Sequence, residues 1–553
     1  MARPADVAGN SDSLEPRTPT PKHITAKRGG AYTWFDDRLG FARLGKHNLR
    51  KIFPDHWSFL LGEIVLYSFI VCLITGIFLT IWFRPSMTEV EYHGSYALLR
   101  GVPMSEAMAS TLTLSFDIRG GLLVRQVHHW AAILFIAGGV AHALRIFFTG
   151  AYRKPRELNW LIGVGLMALS LIEGFAGYSL PDDLLSGTGL RFADGLIRSI
   201  PLIGTWAEFF VFGGEFPGTA IIPRLYMAHI LLLPAILLGL VAAHMSMIVY
   251  HKHTQYPGPG RTEQNVVGYP LFPVYMAKAG GFFFVVFGVS VLMGAFMQIN
   301  PVWKFGPYNP AQVTAGSQPD WYMGWVEGAI RIIPNWESHI GGTTWSWNIF
   351  LPGVGLMGIL FTAMALWPFI EQWITGDKDE HHLLDRPRNA PTRTALGVAA
   401  MTWYAMFWLG GGNDIIATHF SVSLNAITYF LRAAVFIAPV IAFFVTKRIC
   451  LSLQRRDAER VLHGSESGII ERSPEGTYSE AHAPISEDEA FTLTQHKEYS
   501  MLEEGEDGVS KKRARASRFL VGDDIAKPTV AEIEDAQHHH DDHDDDVPAL
   551  PTH

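Results

Sequence analysis

Apolar windows that are nearly free of charged residues recur between residues 58 and 446. They lie at roughly 58–83, 127–149, 159–180, 222–250, 279–299, 347–369, 394–410 and 424–446. Each window is near or above the roughly 20 helical residues that cross a hydrocarbon core, and the window at 394–410 is the shortest. The pattern predicts an all-α membrane protein with eight transmembrane helices.

The polar segments divide the chain into five parts. Residues 1–31 are rich in Ser, Thr, Pro and Arg, which predicts a disordered N-terminus. Residues 32–57 mix aromatic and basic residues at helical spacing, which indicates an amphipathic surface helix or, alternatively, a soluble helix that faces a partner. Residues 58–250 hold the first four windows and residues 251–450 the other four. Residues 451–553 form a polar tail that we expect to be largely disordered.

Lys and Arg are concentrated in alternate loops, and this bias predicts the orientation. The basic loops are 150–158, 251–278 and 370–393, and the longer, less basic loops are 84–126, 181–221 and 300–346. We therefore expect a multi-pass protein of the plasma membrane with both termini in the cytoplasm. The first 50 residues contain no apolar region of signal-peptide type, so we expect no cleaved leader.

Composition adds little about the membrane part. The net charge of −8 comes from the two ends of the 553-residue chain. The two cysteines, Cys72 and Cys450, indicate no disulfide, and no CxxC or CxxCH motif offers a zinc or covalent haem site. The run at 538–546 combines His and Asp, which fits either a divalent metal site or, more simply, a solvated acidic tail. We expect a lipid membrane and no nucleic acid among the partners.

Two apolar windows each carry a pair of histidines. His128 and His142 are 14 residues apart, and His229 and His244 are 15 apart. In an α-helix these spacings leave rotations of roughly −40° and +60° and a rise of about 21 to 22 Å. Each helix therefore presents two imidazoles on about the same face at two depths. Two such helices side by side would supply the ligands of two six-coordinate haems.

A single buried histidine is more often a hydrogen-bonded core residue than a ligand, or it takes part in a proton relay. The matched pairs on two helices favour haem ligation over both readings. His129 points about 100° away from His128, so we expect it to pack or to support the ligand.

Glycines and arginines accompany the histidine pairs. Glycines separated by 14 residues allow a helix backbone to approach a flat ligand or another helix, and they are Gly62 with Gly76 and Gly163 with Gly177. Arg125 and Arg145 lie about one turn from His128 and His142. They either neutralise haem propionates or extend to the membrane interface.

The loop at 318–334 contains a candidate proton acceptor. Asp320 lies between Pro319 and the aromatic pair Trp321–Tyr322. A carboxylate in aromatic, partly apolar surroundings can accept a proton near neutral pH. The alternative is that Asp320 caps a helix N-terminus.

With these residues, the chain resembles cytochrome b, the quinol-oxidising membrane subunit of cytochrome bc complexes, over about residues 32–446. The resemblance rests on RxxH at Arg125–His128, the four paired glycines, GYxLP at Gly177–Pro181, the run through Gly189 to SIPLIG at 199–204, and PDWY at 319–322 where the family has PEWY.

The resemblance implies that the first four helices form a haem-binding bundle with two b haems. His128 and His229 would hold the outer, low-potential haem, and His142 and His244 the inner, high-potential one. Tyr178 and Tyr322 would shape the outer quinol pocket beside Asp320. The other implied pocket residues are Pro181, Gly189, Pro319 and Trp321 on the outer side and Lys278 on the inner side.

The sequence departs from the family pattern at several places. The 15-residue spacing of the second histidine pair is similar to that of photosynthetic relatives, although the chain is fused through eight windows. Asp182–Asp183 replaces the usual Trp-Gly after Pro181, which alters the surroundings of the outer pocket. Ala279 replaces the acidic residue that usually follows Lys278, so the inner proton donor is open.

The fused form with PDWY, LPDD and a long polar tail resembles the actinobacterial branch of the family. That branch implies menaquinone, a Rieske-type iron–sulfur subunit, a diheme cytochrome c subunit and a cytochrome c oxidase partner in a supercomplex. The family also implies a homodimer.

The hypothesis is a respiratory quinol:cytochrome c reductase subunit, active only with its partners. Quinol would be oxidised at the outer site, with one electron passing to the iron–sulfur partner. The other electron would pass through the two haems to an inner quinone, which contributes to proton translocation. Two other classes remain open: a diheme anchor for a dehydrogenase or hydrogenase, which has no reason for PDWY, and a haem-free transporter with a histidine proton relay.

Overall fold

The structure is a computed structural model that describes residues 48–312, 318–536 and a few positions between 34 and 45. The predicted N-terminal disorder at 1–31, most of the surface helix predicted over 32–57 and the His/Asp run at 538–546 lie outside the described residues. The chain divides into two compact units, Met1–Lys51 and Ile52–His553, and the membrane helices belong to the second. In the first, the Arg38 guanidinium lies 4.1 Å from the Trp34 ring centroid.

Seven helices within the described ranges are long and apolar enough to cross a membrane. In chain order, spans 1 to 7 are Trp57–Trp82, Gly121–Phe148, Glu157–Tyr178, Ile221–His251, Leu271–Phe296, Trp347–Thr375 and Leu424–His463. Only 11% to 22% of the most apolar window in each span is buried, so most of this apolar surface is available to lipid. These spans coincide with seven of the eight predicted windows.

The eighth predicted window, 394–410, lies in a helix that is not among these spans. The helix Pro391–Gly411 begins with the buried polar residues Thr392, Arg393 and Thr394. It packs closely against its neighbours: a Cβ at Gly328 would lie 1.8 Å from the Phe407 carbonyl oxygen. A helix enclosed by other helices does not need a lipid-facing apolar surface. The number of eight spans is therefore not confirmed.

Shorter helices and hairpins connect the spans. The helices are Glu106–Phe116, Leu184–Arg198, Gly204–Phe212, Val302–Phe305, Gly324–Ile332, Asn413–Phe420, Glu487–Thr494 and Lys511–Val521. The strands pair antiparallel, Ile52–Phe53 with Tyr269–Pro270, Glu89–Glu91 with Pro103–Ser105, Glu337–Ile340 with Thr343–Ser346, and Ser465–Arg472 with Tyr478–Ala483.

Small residues let the first spans approach one another. Span 1 packs on span 2, span 3 on span 4, and span 5 on both spans 1 and 2. A Cβ at Gly138 in span 2 would lie 3.2 Å from the side chains of Ile64 and Val65 in span 1. A Cβ at Gly294 in span 5 would lie 2.6 Å from Val127. Glycine thus permits the close contacts that position the histidine-bearing helices.

The tail differs from the prediction of disorder up to residue 536. Residues 451–463 continue span 7, and a hairpin and two helices follow. The tail docks by polar contacts: Lys497 Nζ lies 2.5 Å from Asp377 Oδ1, and Arg153 Nη1 donates to Tyr499 Oη at 2.6 Å. Composition alone underestimates such a segment, because its order depends on partners far away in the sequence.

A buried ionic cluster joins the loops at the same end of the molecule. Asp385 pairs with Arg153 at 2.9 Å and with Arg393 at 2.7 Å, and Arg393 also contacts Glu371 at 3.0 Å. Burial by itself would raise the pKa of Asp385, but the two guanidiniums hold that pKa at about 2. The ionised carboxylate is therefore part of the folded structure.

We expect Asp385→Asn to lower the free energy of unfolding by about 3 to 5 kcal/mol, because it leaves two buried guanidiniums without their carboxylate. The pKa of Asp385 lies below the ordinary value of about 3.9, so its stabilisation is present above about pH 4 and is lost as the pH falls towards 2. Thermal unfolding in detergent across this range measures both effects. Glu475→Gln, in the exposed turn of the tail hairpin, is the control, and an equal loss in both variants would contradict the assignment.

Candidate functional site

The four predicted histidines form two pairs between spans 2 and 4. The ring centroids of His128 and His229 are 6.0 Å apart, and those of His142 and His244 are 6.5 Å apart. A metal–nitrogen bond is about 2 Å on each side and each ring adds about 1 Å, so two imidazoles on one metal have centroids about 6 Å apart. Both pairs therefore have the spacing of two axial ligands.

A π-helical segment, Ala228–Leu232, accounts for the unequal spacing of the two histidine pairs in sequence. Such a segment inserts one extra residue into an α-helix. His229 lies in it, close before Pro234, whose ring nitrogen cannot donate a helical hydrogen bond. The 15-residue spacing of span 4 thus matches the 14-residue spacing of span 2 without the rotation of roughly +60° expected for a regular helix.

Hydrogen bonds at Nδ1 orient the imidazoles of the first pair. Thr75 Oγ1 lies 2.9 Å from His128 Nδ1 and donates its own proton to the Val71 carbonyl at 2.6 Å. The carbonyl of Glu173 lies 3.1 Å from His229 Nδ1 and can only accept. Both Nδ1 atoms therefore carry the proton, which leaves each Nε2 lone pair available to a metal.

Each paired glycine faces one histidine ring. A Cβ at Gly177 would lie 2.4 Å from His229 Cε1, and one at Gly62 would lie 3.1 Å from His142 Cε1. The same distances are 3.4 Å from Gly76 to His128 and 3.7 Å from Gly163 to His244. The backbones of spans 1 and 3 thus lie against the rings, where a larger residue would occupy the space beside them.

The two arginines each keep an unpaired donor. Arg125 donates from Nη2 to the Asn300 carbonyl at 2.8 Å, and Arg145 lies 4.5 Å from the Phe59 ring centroid. The Nε of each is buried without a hydrogen-bond partner in the described part of the chain. Buried donors without partners suit an anionic group beside each histidine pair. The alternative of side chains extended into the interface does not fit these buried groups.

A cavity of about 410 Å³ connects the first histidine pair to the predicted proton acceptor. Its lining includes His128, His229, Asp320, Tyr322 and Tyr178. Pro181, Arg125, Gly76 and Gly177 also line it. A pocket of this size beside one histidine pair can accommodate a small, mostly apolar ring compound.

Asp320 is not a helix cap. The following helix begins at Gly324, and no side chain caps it. Tyr322 Oη donates to Asp320 Oδ2 at 3.0 Å, and His129 Nε2 lies 3.5 Å from Asp320 Oδ1. The carboxylate therefore faces the cavity with a phenol on one oxygen and an imidazole near the other.

The remaining predicted outer-pocket residues surround this centre without all lining the cavity. A Cβ at Gly189 would lie 3.2 Å from Tyr178 Cε1, so Gly189 supports that ring. Pro319 and Trp321 are not among the lining residues, and the Trp321 carbonyl accepts a hydrogen bond from Trp408 Nε1 at 3.0 Å.

Asp182 and Asp183 lie behind the cavity and do not line it. Asp183 is fully buried and its Oδ2 accepts from the Leu185 N–H at 3.3 Å, which caps the helix Leu184–Arg198. Burial raises the pKa of each carboxyl to about 6. The departure from the family pattern at these positions therefore acts on the packing behind the pocket.

Lys278 lies elsewhere, near the level of the second pair. It forms an ion pair with Asp55, and its Nζ lies 4.4 Å from the Tyr269 ring centroid. Nearby, Glu63 accepts a hydrogen bond from Tyr275 at 2.5 Å and follows Gly62, which faces His142. A carboxylate thus accompanies Lys278, although position 279 is Ala.

Sequence reasoning did not single out Thr75 and Glu173, and it assigned His129 no partner. A threonine in an apolar helix carries no distinctive signal, because its hydroxyl usually bonds to its own helix. Glu173 does carry one, since a carboxylate inside a membrane window is rare and usually functional. The approach of His129 to Asp320 depends on residues 191 positions apart and has no local signal.

Comparisons with known proteins agree with this geometry. The family profile described as Cytochrome b(N-terminal)/b6/petB matches residues 133–307. The cytochrome bc1 complex cytochrome b subunit of Streptomyces coelicolor is 57% identical over 523 residues, which cover 92% of this chain and 96% of the relative. The subunit of the same name from Corynebacterium diphtheriae is 51% identical over 454 residues, 81% of this chain and 83% of the relative.

A solved structure shares the fold. A chain of a structure titled "Hyperthermophilic respiratory Complex III" superposes with a TM-score of 0.56 at 21% identity, covering 75% of this chain and 98% of that one. At this identity the likeness concerns the fold alone.

We expect Gly177→Ala to displace the His229 ring, because the added methyl would lie 2.4 Å from Cε1. The variant should lose or spectrally perturb one metal-bound histidine pair, as measured by visible absorbance of the purified protein. Gly165→Ala on the same helix is the matched control, since no atom lies within 4 Å of its added Cβ. Identical spectra for both variants would show that the contact at Gly177 has no role in ligand placement.

Proposed function

Because the chain belongs to the family of cytochrome b subunits of cytochrome bc1 complexes, we propose that it is the diheme, quinol-oxidising subunit of a respiratory quinol:cytochrome c oxidoreductase. Membership makes it a multi-pass membrane subunit of a complex III that uses haem b and quinone. Membership also implies Rieske and cytochrome c partner subunits. An anchor for a dehydrogenase and a haem-free transporter are both less consistent with these relatives.

The four histidines are the proposed haem ligands. His128 and His229 would hold one b haem, and His142 and His244 the other. The centroid spacing near 6 Å, the protonated Nδ1 atoms of the first pair and the glycine contacts support this proposal. The unpaired Nε donors of Arg125 and Arg145 would bind the propionates. When bound, the two haems supply one-electron transfer between the two sides of the membrane.

Asp320 is the proposed proton acceptor at the outer quinol site, and it is the single observation at Asp320 that carries the assignment. Its carboxylate lines the cavity beside the first histidine pair, where a quinol hydroxyl would lie within reach. Tyr322 donates to one carboxylate oxygen and holds the other towards the cavity. His129, 3.5 Å away, is placed to take the proton onward. Tyr178 and Pro181 would bound the quinol ring.

An inner quinone site near Lys278 completes the proposal. Lys278 with Asp55, and Glu63 with Tyr275, are the charged and hydrogen-bonding groups close to the second pair. They would deliver protons to a reduced quinone although position 279 lacks a carboxylate. Oxidation on one side and reduction on the other would move charge across the membrane and contribute to proton translocation.

The finer assignments follow from the resemblance and from the loop charges. We propose eight membrane helices with Pro391–Gly411 as the additional one, a haem-binding bundle of the first four, and both termini in the cytoplasm of a plasma membrane. Menaquinone, a diheme cytochrome c subunit, a homodimer and a supercomplex with cytochrome c oxidase complete the proposal. The actinobacterial relatives support this branch.

We expect a redox titration of the purified complex, followed by haem absorbance, to show two low-spin b-type waves. His229→Ala should remove one wave and one haem, because no second imidazole would remain opposite His128. His251→Ala, at the end of the same span, is the control and should retain both. Retention of both haems in His229→Ala would exclude the ligand assignment.

We expect Asp320→Asn to lower quinol oxidation by about 10²- to 10⁴-fold, the usual contribution of a positioned general base. The pH dependence of the residual activity should change as well, while both haem waves stay in place. Steady-state quinol oxidation in the assembled complex measures the loss. Asp117→Asn is the control, since Asp117 accepts a hydrogen bond from Ser95 and does not line the cavity. An unchanged rate and pH profile in Asp320→Asn would remove the proton role.

A further inference from the structure

One carboxylate lies against a paired histidine. Glu173 Oε1 is 3.0 Å from His229 Nδ1, and the carbonyl of the same residue is 3.1 Å from that nitrogen. Both side chains are largely enclosed, with 16% of His229 and 17% of Glu173 exposed. Backbone and side chain of one residue thus share a single imidazole proton.

The charge of this carboxylate has little compensation from neighbouring groups. Glu173 Oε2 is buried and has no hydrogen-bond partner among the residues that the structure describes. No Lys or Arg lies within ion-pair distance of Glu173 in the same residues, where His229 is its partner. A negative charge in such surroundings acts over several ångströms, because the local dielectric is low.

The two histidine pairs differ at this position. His128, opposite His229, has the neutral hydroxyl of Thr75 at its Nδ1. Within the described ranges, neither His142 nor His244 has a carboxylate at ion-pair distance. Each pair has one arginine three residues from a ligand, Arg125 for the first and Arg145 for the second. The arginines balance, and Glu173 is the charged group that distinguishes the pairs.

We propose that Glu173 is a positioning residue that sets the order of the two haem potentials. This inference rests on the proposed function of the histidine pairs. By accepting from Nδ1, the carboxylate fixes the His229 ring and makes it a more electron-rich ligand. Reduction adds one electron and no proton to the haem, so the fixed negative charge disfavours the reduced state. The haem of the His128–His229 pair therefore has the lower potential, and electrons flow towards the His142–His244 pair.

The test is a redox titration of the assembled complex carrying Glu173→Gln, which keeps the size and removes the charge. We expect the lower-potential wave to move upward by about tenfold in the reduction equilibrium constant, which is 59 mV for one electron, and the upper wave to stay. Glu173→Ser is a second neutral variant with the same expectation. Glu173→Asp keeps the charge and should restore most of the original potential.

Glu63→Gln is the matched control, because the Glu63 carboxylate bonds to Tyr275 and Tyr67 instead of a histidine. It should leave the lower wave in place. Thr75→Val, which removes the acceptor from His128, should move the same lower wave by less and so assign it to this pair.

The outcomes separate the inference from the proposed function. Two waves in the unmodified complex with no shift in either neutral Glu173 variant would overturn the role of Glu173 and leave the haem assignment standing. A shift of the upper wave alone would also overturn it. An unmodified complex without two low-spin waves would contradict the proposed function itself.

Discussion

The close approach of two glycine-bearing spans to the histidines of two others is the constraint on which the rest of the structure depends. A methyl group at Gly177 would lie 2.4 Å from His229, so the backbone of span 3 lies almost in contact with that ring. Only glycine allows this distance, and the same holds in milder form at Gly62. Because these contacts hold the rings, the two imidazole pairs keep nearly equal separations, 6.0 and 6.5 Å, at two depths.

The chemistry of the outer site follows from the first of these pairs. Its imidazoles form part of the cavity wall, and the PDWY loop closes the same cavity with Asp320 and Tyr322. A proton acceptor and an electron acceptor thus lie beside one pocket, which is the requirement for oxidising a two-electron, two-proton donor. Glu173 connects the two roles, since it lines the cavity and contacts His229.

Charges at the other end of the molecule are buried in pairs. Arg153, Asp385 and Arg393 neutralise one another where three loops and the tail meet. Burying any of these groups alone would be costly, so the cluster makes the position of each segment depend on the others. The tail takes part through Lys497 and Tyr499, and this explains how a polar segment acquires helices and a hairpin.

The sequence by itself determined the membrane class, the positions of seven spans, the histidine and glycine pairs, and Asp320 as a candidate. These features are local: apolar windows and spacings of 14 residues follow from helix geometry alone. Tertiary structure decided the rest. The π-helical segment at Ala228–Leu232 brings a 15-residue spacing into register, which no regular helix would do. The partners of the ligands, Thr75 and Glu173, and the contact of His129 with Asp320 arise between helices. So do the enclosure of Pro391–Gly411 and the order of the tail, because each depends on groups that are distant in the chain and adjacent only after folding.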